Sequence, residues 1–180
     1  TDLNVFENVA FGLRAHTNLP DDMIRDLVLL KLEAVGLRAC AQFSVSDLSG
    51  GMARRVALAR AIMMDPMLLF YDEPFTGQDP VSKAVLVRLI RELNDSLGLT
   101  SVVVTHDIVD TLAIADRVLM LSKQGVLAYG TPKELLNNHN PALHQFIHGL
   151  ADGVVPFHYP GPTLQEELSN ASQPLLHKGD

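Results

Sequence analysis

Apolar and polar positions alternate along the 180-residue chain in two different periods, predicting helices interleaved with short strands. Leu3, Phe6 and Val9/Ala10 recur at helical spacing and predict a short first helix. After Pro20, Asp21 and Asp22 open a second helix. On it Met23, Ile24, Leu27, Val28, Lys31, Leu32 and Val35 keep a helical period up to a stop at Gly36. Residues 37–47 are mixed and are read as short helix plus loop. A third helix is expected from Ser49 to about Met64, with Met52, Val56, Ala59 and Met63 on one face, ended by Asp65-Pro66. Residues 67–71 are short and uniformly apolar, the pattern of a parallel strand buried on both faces. Asp79-Pro80 reads as a cap followed by proline at the first helical position, and the helix runs to Gly98. Residues 100–105 form a second buried strand. Strand, helix and strand make a right-handed crossover, and chemistry in such sheets gathers at the carboxyl ends of the strands. A short helix over 109–115, a hairpin pairing 117–122 with 126–129, a capping box at Thr131-Pro132-Lys133-Glu134 and a helix over 141–150 follow. Beyond Gly153, Pro156, Pro160, Pro162 and Pro174 stand among polar residues without a period, so the end is expected to be extended or disordered.

Composition narrows the class. A hydrophobic share of 47% and a charged share of 19% belong to a folded chain with a core. The net charge of −7 speaks against a nucleic-acid surface, which needs clustered Lys and Arg. Cys40 is the only cysteine, so no internal disulfide can form, and a reducing compartment fits. No apolar run reaches the length of a bilayer span, and the N-terminal residues show no signal-peptide pattern. The chain opens on Thr1 inside a helical pattern and is expected to be a fragment.

Three stretches carry candidate chemistry. Ser49, Gly50 and Gly51 stand immediately before the third helix. The serine can cap it, the glycines allow close approach, and the unpaired N–H groups favour an anion such as phosphate. Alone, such a stretch is most often a loop and a cap. Asp72 and Glu73 end the first strand. With Pro74 turning the backbone, both carboxylates can approach one phosphate site, although a solvated acidic turn is the bland alternative. His106 ends the second strand. Asp79 caps the next helix. His144 and His148 lie four apart but lack a companion ligand, so a solvated helix face is expected. Arg54, Arg55 and Arg60 are read as surface or ion-paired residues, and Met52, Met63, Met64 and Met67 as core fillers.

In this order, Ser49-Gly50-Gly51, then Asp72-Glu73, then His106, the chain resembles the second half of an ATP-binding cassette ATPase. The stretches match that family's signature motif, its Walker B strand with the catalytic glutamate, and its switch histidine. Val5, Glu7, Asn8 and Val9 add to the match. The resemblance implies an α/β fold: a partial P-loop NTPase with a parallel sheet core and a small helical subdomain. It implies residues 1–47 as part of that subdomain facing a permease, 48–150 as the ATPase core, and 151–180 as a C-terminal extension. It further implies ATP and Mg²⁺ as ligands. Asp72 would serve the metal, Glu73 and His106 catalysis, and Ser49, Gly50, Gly51 and Asp79 the nucleotide and dimer seam. The sequence departs from the family's usual pattern at Met52 and at Thr76-Gly77-Gln78, leaving details at the seam open. No Gly-x-x-x-x-Gly-Lys-Ser/Thr occurs, so the chain is not expected to bind ATP well or hydrolyse it alone.

Within the family, residues 48–55, 72–80 and 151–160 are similar to ATPase subunits of Mla-type intermembrane phospholipid transporters. That likeness implies a homodimer peripheral on the cytoplasmic face of the inner membrane. Its partners would be a transmembrane permease, an MCE protein and a STAS-domain protein, with no nucleic acid. Two alternatives stay open: a DNA-maintenance ATPase of the same family, disfavoured by acidity and the lack of a long heptad segment, and a non-catalytic regulatory subunit, disfavoured by intact Glu73 and His106.

Overall fold

Helix α1 (Val5–His16) begins where the Asn4 side chain accepts the Glu7 N–H at 2.8 Å, and it buries the stripe Val5, Val9, Ala10 and Leu13. It runs past the short helix expected because the same stripe continues to Leu13. Helix α2 (Asp21–Ala34) buries Ile24, Val28 and Leu32, and Gly36 turns the chain away at φ +69°. Lys31 is buried with them and donates to Asp65. Single 3₁₀ turns at Arg38–Cys40 and Val45–Asp47 lead to α3 (Gly50–Ala61). This helix packs against α1, α2 and, further on, α4, and so buries Leu58 as well as Val56 and Ala59. A helix with neighbours on several sides shows no single apolar face.

The structure is a computed structural model and describes residues 3–122, 125–154 and 161–169. Strand β1 (Leu68–Asp72), helix α4 (Pro80–Leu97) and strand β2 (Thr100–Val104) form the crossover unit, with the strands parallel. Leu68 lies opposite Thr100 and Asp72 opposite Val104. Asp79 accepts the N–H groups of Val81 and Ser82 at 3.0 Å to start α4, and Gly98 ends it in the left-handed region. Leu86, Leu89, Ile90 and Leu93 join one core with α1, α2, α3 and Phe75.

Burial of both strands on two faces is corrected. Leu69, Tyr71 and Val103 pack toward the core, whereas Phe70 is 67% and Val104 55% exposed, with Leu68 and Val102 also open. The apolar pattern suits a sheet covered on both sides, and among the described residues only one side is covered. Two methionine expectations fail for the same region. Met63 is buried, but Met64 is open and Met67, just before β1, is 89% exposed.

Helix α5 (Ile108–Ile114) follows β2, and strands β3 (Val118–Ser122) and β4 (Gly125–Gly130) pair with each other. The expected hairpin turn at Lys123 and Gln124 lies outside the described residues. Helix α6 (Pro132–Leu136) has the expected Thr131–Glu134 capping box, and α7 (Pro141–His148) ends at Gly149. The chain divides into two compact units, 1–118 and 119–180. Within the second, α6 and α7 pack on β4 around the buried Leu135 and Leu143. The tail is not wholly irregular: α8 (Leu164–Ser169) forms, with Thr163 and Glu166 exchanging a capping box that a Thr-x-x-Glu reading would have found. The expected disorder at 155–160 and 170–180 falls outside the described residues. No described helix is long and apolar enough to cross a membrane.

Two substitutions separate the covered from the uncovered positions. Leu32→Ala, at a fully buried site, is expected to cost about 2–5 kcal/mol. Phe70→Ser, on the open strand face, is expected to cost under about 1 kcal/mol in this chain. Denaturant titration of the two variants distinguishes this from a sheet covered on both faces, where Phe70→Ser would be the more damaging.

Candidate functional site

The carboxyl ends of β1 and β2 bring the hydrolytic candidates together. The ladder extends one bond past the strands, from the Glu73 N–H to the Val104 carbonyl at 2.8 Å. Glu73 then adopts φ +45°, an uncommon conformation for a residue with a side chain. This departure resolves the problem posed by adjacent carboxylates on one strand: Asp72 keeps strand geometry, while Glu73 turns out of it. Its Oε1 lies 3.0 Å from Nδ1 of His106. Its Oε2 accepts from Thr76 Oγ1 at 2.9 Å and from Thr105 Oγ1 at 3.3 Å. Thr105 Oγ1 in turn accepts the Asp107 N–H at 3.1 Å, ordering the chain around His106.

The electrostatics follow from these contacts. The hydrogen bond to His106, then that from Thr76, hold the Glu73 carboxyl below the usual glutamate range. The same contact raises His106 above the ordinary histidine value. The two shifts are reciprocal, each ring and carboxyl favouring the charged form of the other. His106 is 76% exposed on its side chain and Glu73 37%, so the pair is open to an incoming ligand.

Asp72 is exposed at the end of β1 and has no hydrogen-bond or ion-pair partner among the described residues. A single free carboxylate fits Mg²⁺, which keeps several waters and is shared with substrate phosphates rather than caged by protein. Among the described residues no group of three His, Cys, Asp or Glu side chains forms a cage. His144 and His148 lie with ring centroids 4.3 Å apart in the second unit.

Ser49 caps α3 by accepting the Met52 N–H at 3.2 Å. A Cβ at Gly51 would lie 2.9 Å from Ser82 Oγ and 3.1 Å from Gln78 Oε1, so glycine is needed where the chain packs on the start of α4. A Cβ at Gly50 would stand 4.0 Å from Gln78 Nε2. Asp79 sits between these partners, and the Ser82 hydroxyl and N–H lower its pKa. Among the described residues no hydrogen bond joins Ser49, Gly50 or Gly51 to Glu73 or His106. The structure thus brings together Glu73 with His106, and the Ser49–Gly51 turn with the segment around Asp79.

Two supporting groups were given no functional role by sequence reading. Arg54, expected at the surface or in an ion pair, donates to three backbone carbonyls: Glu73 at 3.0 Å, Pro74 at 2.6 Å, and Thr76. Arg55 donates to the Val35 carbonyl at 3.1 Å, and Arg60 lies 5.8 Å from the centre of the Phe11 ring. Lys83 on α4 bridges Asp107 at 2.8 Å and Asp110 at 2.7 Å, and these carboxylates raise its pKa. Lys83 stands near the start of α4, and its partners come from a segment over twenty residues away.

Known proteins resemble the chain over most of its length. Residues 2–76 match the model of the ABC transporter family. The chain is 52% identical, over 93% of its length, to the intermembrane phospholipid transport system ATP-binding protein MlaF of Escherichia coli, and spans 62% of that protein. It is 36% identical over 85% of its length to the ATP-binding protein mkl of Mycobacterium leprae, named for ribonucleotide transport, of which it spans 44%. Among solved structures it is similar to cbiO1 of Clostridium perfringens, part of the cbiONQ ABC transporter complex. The TM-score is 0.70 and the identity 32%, covering 76% of this chain and 54% of that one. The paired carboxylate and histidine at the ends of parallel strands, and the Ser-Gly-Gly turn before α3, thus stand on a chain that is similar over most of its length to ATP-binding proteins of ABC transporters.

Proposed function

We propose that this chain supplies the signature and hydrolytic parts of an ABC transporter ATPase that drives phospholipid transport between membranes. The contact between Glu73 and His106, beside the free carboxylate of Asp72, carries the reading. Glu73 orients the attacking water. Its contacts with His106 and Thr76 lower its pKa and fix it as a hydrogen-bond acceptor. That placement suits phosphoryl transfer, whose loose transition state asks for positioning and charge stabilisation more than for a strong base. His106, whose Nδ1 is paired with Glu73, donates toward the γ-phosphate oxygens. Asp72 would hold Mg²⁺, which when bound would neutralise phosphate charge.

The Ser49–Gly51 turn contacts the Asp79 segment and not Glu73, which supports its use on a different nucleotide. In a symmetric dimer each chain then lends its α3 N-terminus to the site of the other. The chain has no lysine-bearing phosphate loop, so its own nucleotide must be gripped by other residues of the assembly. The likeness to MlaF, named for intermembrane phospholipid transport, supports lipid as cargo; a permease and STAS-domain and MCE proteins at the cytoplasmic face of the inner membrane are the partners we propose. In that assembly residues 1–47 face the permease, 48–150 carry the chemistry and 151–180 form an extension.

In the ATPase subunit carrying this sequence, Glu73→Gln is expected to slow hydrolysis at least about 100-fold while ATP still binds. Turnover and nucleotide binding measured on the same preparation check this, and rapid turnover would remove Glu73 from the mechanism. In this chain without nucleotide, His106 is expected to titrate above an ordinary histidine, and closer to it in Glu73→Gln, as read by NMR. The sign follows from both groups. His106 contributes stability that is complete below its unfolded pKa and is lost as pH rises through its raised folded value. Glu73 contributes stability that is complete above its unfolded pKa and is lost as pH falls through its lowered folded value.

A further inference from the structure

The turn that carries Glu73 is held from one side by a single guanidinium. Arg54 lies on α3, one turn beyond the Ser49–Gly51 cap, and its Nη1 donates to the carbonyls of Glu73 at 3.0 Å and Pro74 at 2.6 Å. Its Nη2 donates to the Thr76 carbonyl. Three carbonyl oxygens within four residues therefore converge on one cation, and no carboxylate competes for it among the described residues. Convergent carbonyls repel one another unless a donor stands between them, and a planar fork with five N–H groups can serve all three. A lysine ammonium reaches fewer acceptors from one position. Within the same turn Glu73 takes φ +45°, and its carboxylate accepts from Thr76, whose carbonyl Arg54 also holds. Phe75, 2% exposed, anchors the turn in the core from the opposite side.

We propose that Arg54 is a positioning residue for the hydrolytic carboxylate: it holds the 73–76 turn so that Glu73 faces His106 and Thr76. It also makes α3 and that turn one mechanical piece. The N-terminus of α3 is the part that would close on a nucleotide, so Arg54 ties that closure to the placement of Glu73. The inference rests on the proposal that Glu73 orients the attacking water.

The test uses the ATPase subunit that carries this sequence, with Arg54→Gln, Arg54→Lys and Glu73→Gln measured side by side. Arg54→Gln is expected to lower kcat between about 10- and 100-fold, the scale of a misplacement near 1 Å. KM for ATP should stay within about twofold, since the loss falls on the chemical step. Arg54→Lys should recover part of the loss and not all of it. Wild-type kcat in both Arg54 variants, with Glu73→Gln slow, would overturn the role of Arg54 alone. A fast Glu73→Gln would instead overturn the hydrolytic reading beneath it. Should Arg54→Gln fail to fold, Arg54→Lys decides by the same kcat criterion. A further measurement needs no variant: in this chain the Arg54 guanidinium N–H signals should be resolved by NMR and protected from exchange. A freely rotating, unprotected guanidinium would overturn the proposal.

Discussion

One backbone hydrogen bond sets the geometry of the site. The Glu73 N–H continues the β1–β2 ladder by bonding to Val104 after the last paired residues, and only then does the chain leave the strand at φ +45°. Had the strand run on, Asp72 and Glu73 would follow regular alternation and point to opposite faces of the sheet, and Glu73 could not turn toward His106. A non-glycine residue in the left-handed region costs on the order of 1–2 kcal/mol. That cost is offset locally by the carbonyl contacts of Arg54 and the burial of Phe75. The strain sits on the residue that the chemistry needs out of register.

The start of α4 is the second organising point. Asp79 caps the helix, Gly51 packs against Gln78 and Ser82, and Lys83 reaches across to Asp107 and Asp110. Asp107 immediately follows His106, so the end of the second strand is anchored to the helix that begins after the Asp79 turn. The contacts thus run from the α3 N-terminus through α4 to the histidine segment. Arg54 makes a second route from α3 to Glu73. Both routes begin at the Ser-Gly-Gly turn, so a ligand held there would act on Glu73 and His106 through packed side chains and not through a flexible loop.

Local rules carried much of the fold. The Asp79-Pro80 cap, the Gly36 and Gly98 stops and the Thr131 capping box depend on residues close in sequence, and they read correctly. The strands were located for the same reason, and their carboxyl ends pointed to Asp72, Glu73 and His106. What could not be read depends on partners distant in sequence. Arg54 shows a helix-surface spacing, and only the fold reveals three carbonyls aimed at it. Lys83 is similar, because its acidic partners lie on the far side of a strand. The open face of the sheet was misjudged because apolarity records what a strand is suited to pack against, not whether this chain provides it. Capping at Thr163 was available locally and was overlooked among the prolines.

That open face bears on the site itself. Alternation along β1 puts Asp72 on the same side as Leu68 and Phe70, the side on which Val102 and Val104 are also exposed. Glu73, by leaving the strand, escapes this alternation and joins His106. The metal-binding candidate therefore adjoins an uncovered apolar surface, while the water-orienting candidate is supported by this chain's own residues. Any element that packs on Phe70 and Val104 must come to lie beside the Asp72 carboxylate. If Asp72 serves a phosphate site as proposed, covering the sheet and completing that site are one packing event, so that the apolar contact and anion capture reinforce each other. The water-orienting half needs no such partner, since Val104, Thr105, His106 and Arg54 already hold Glu73 in place.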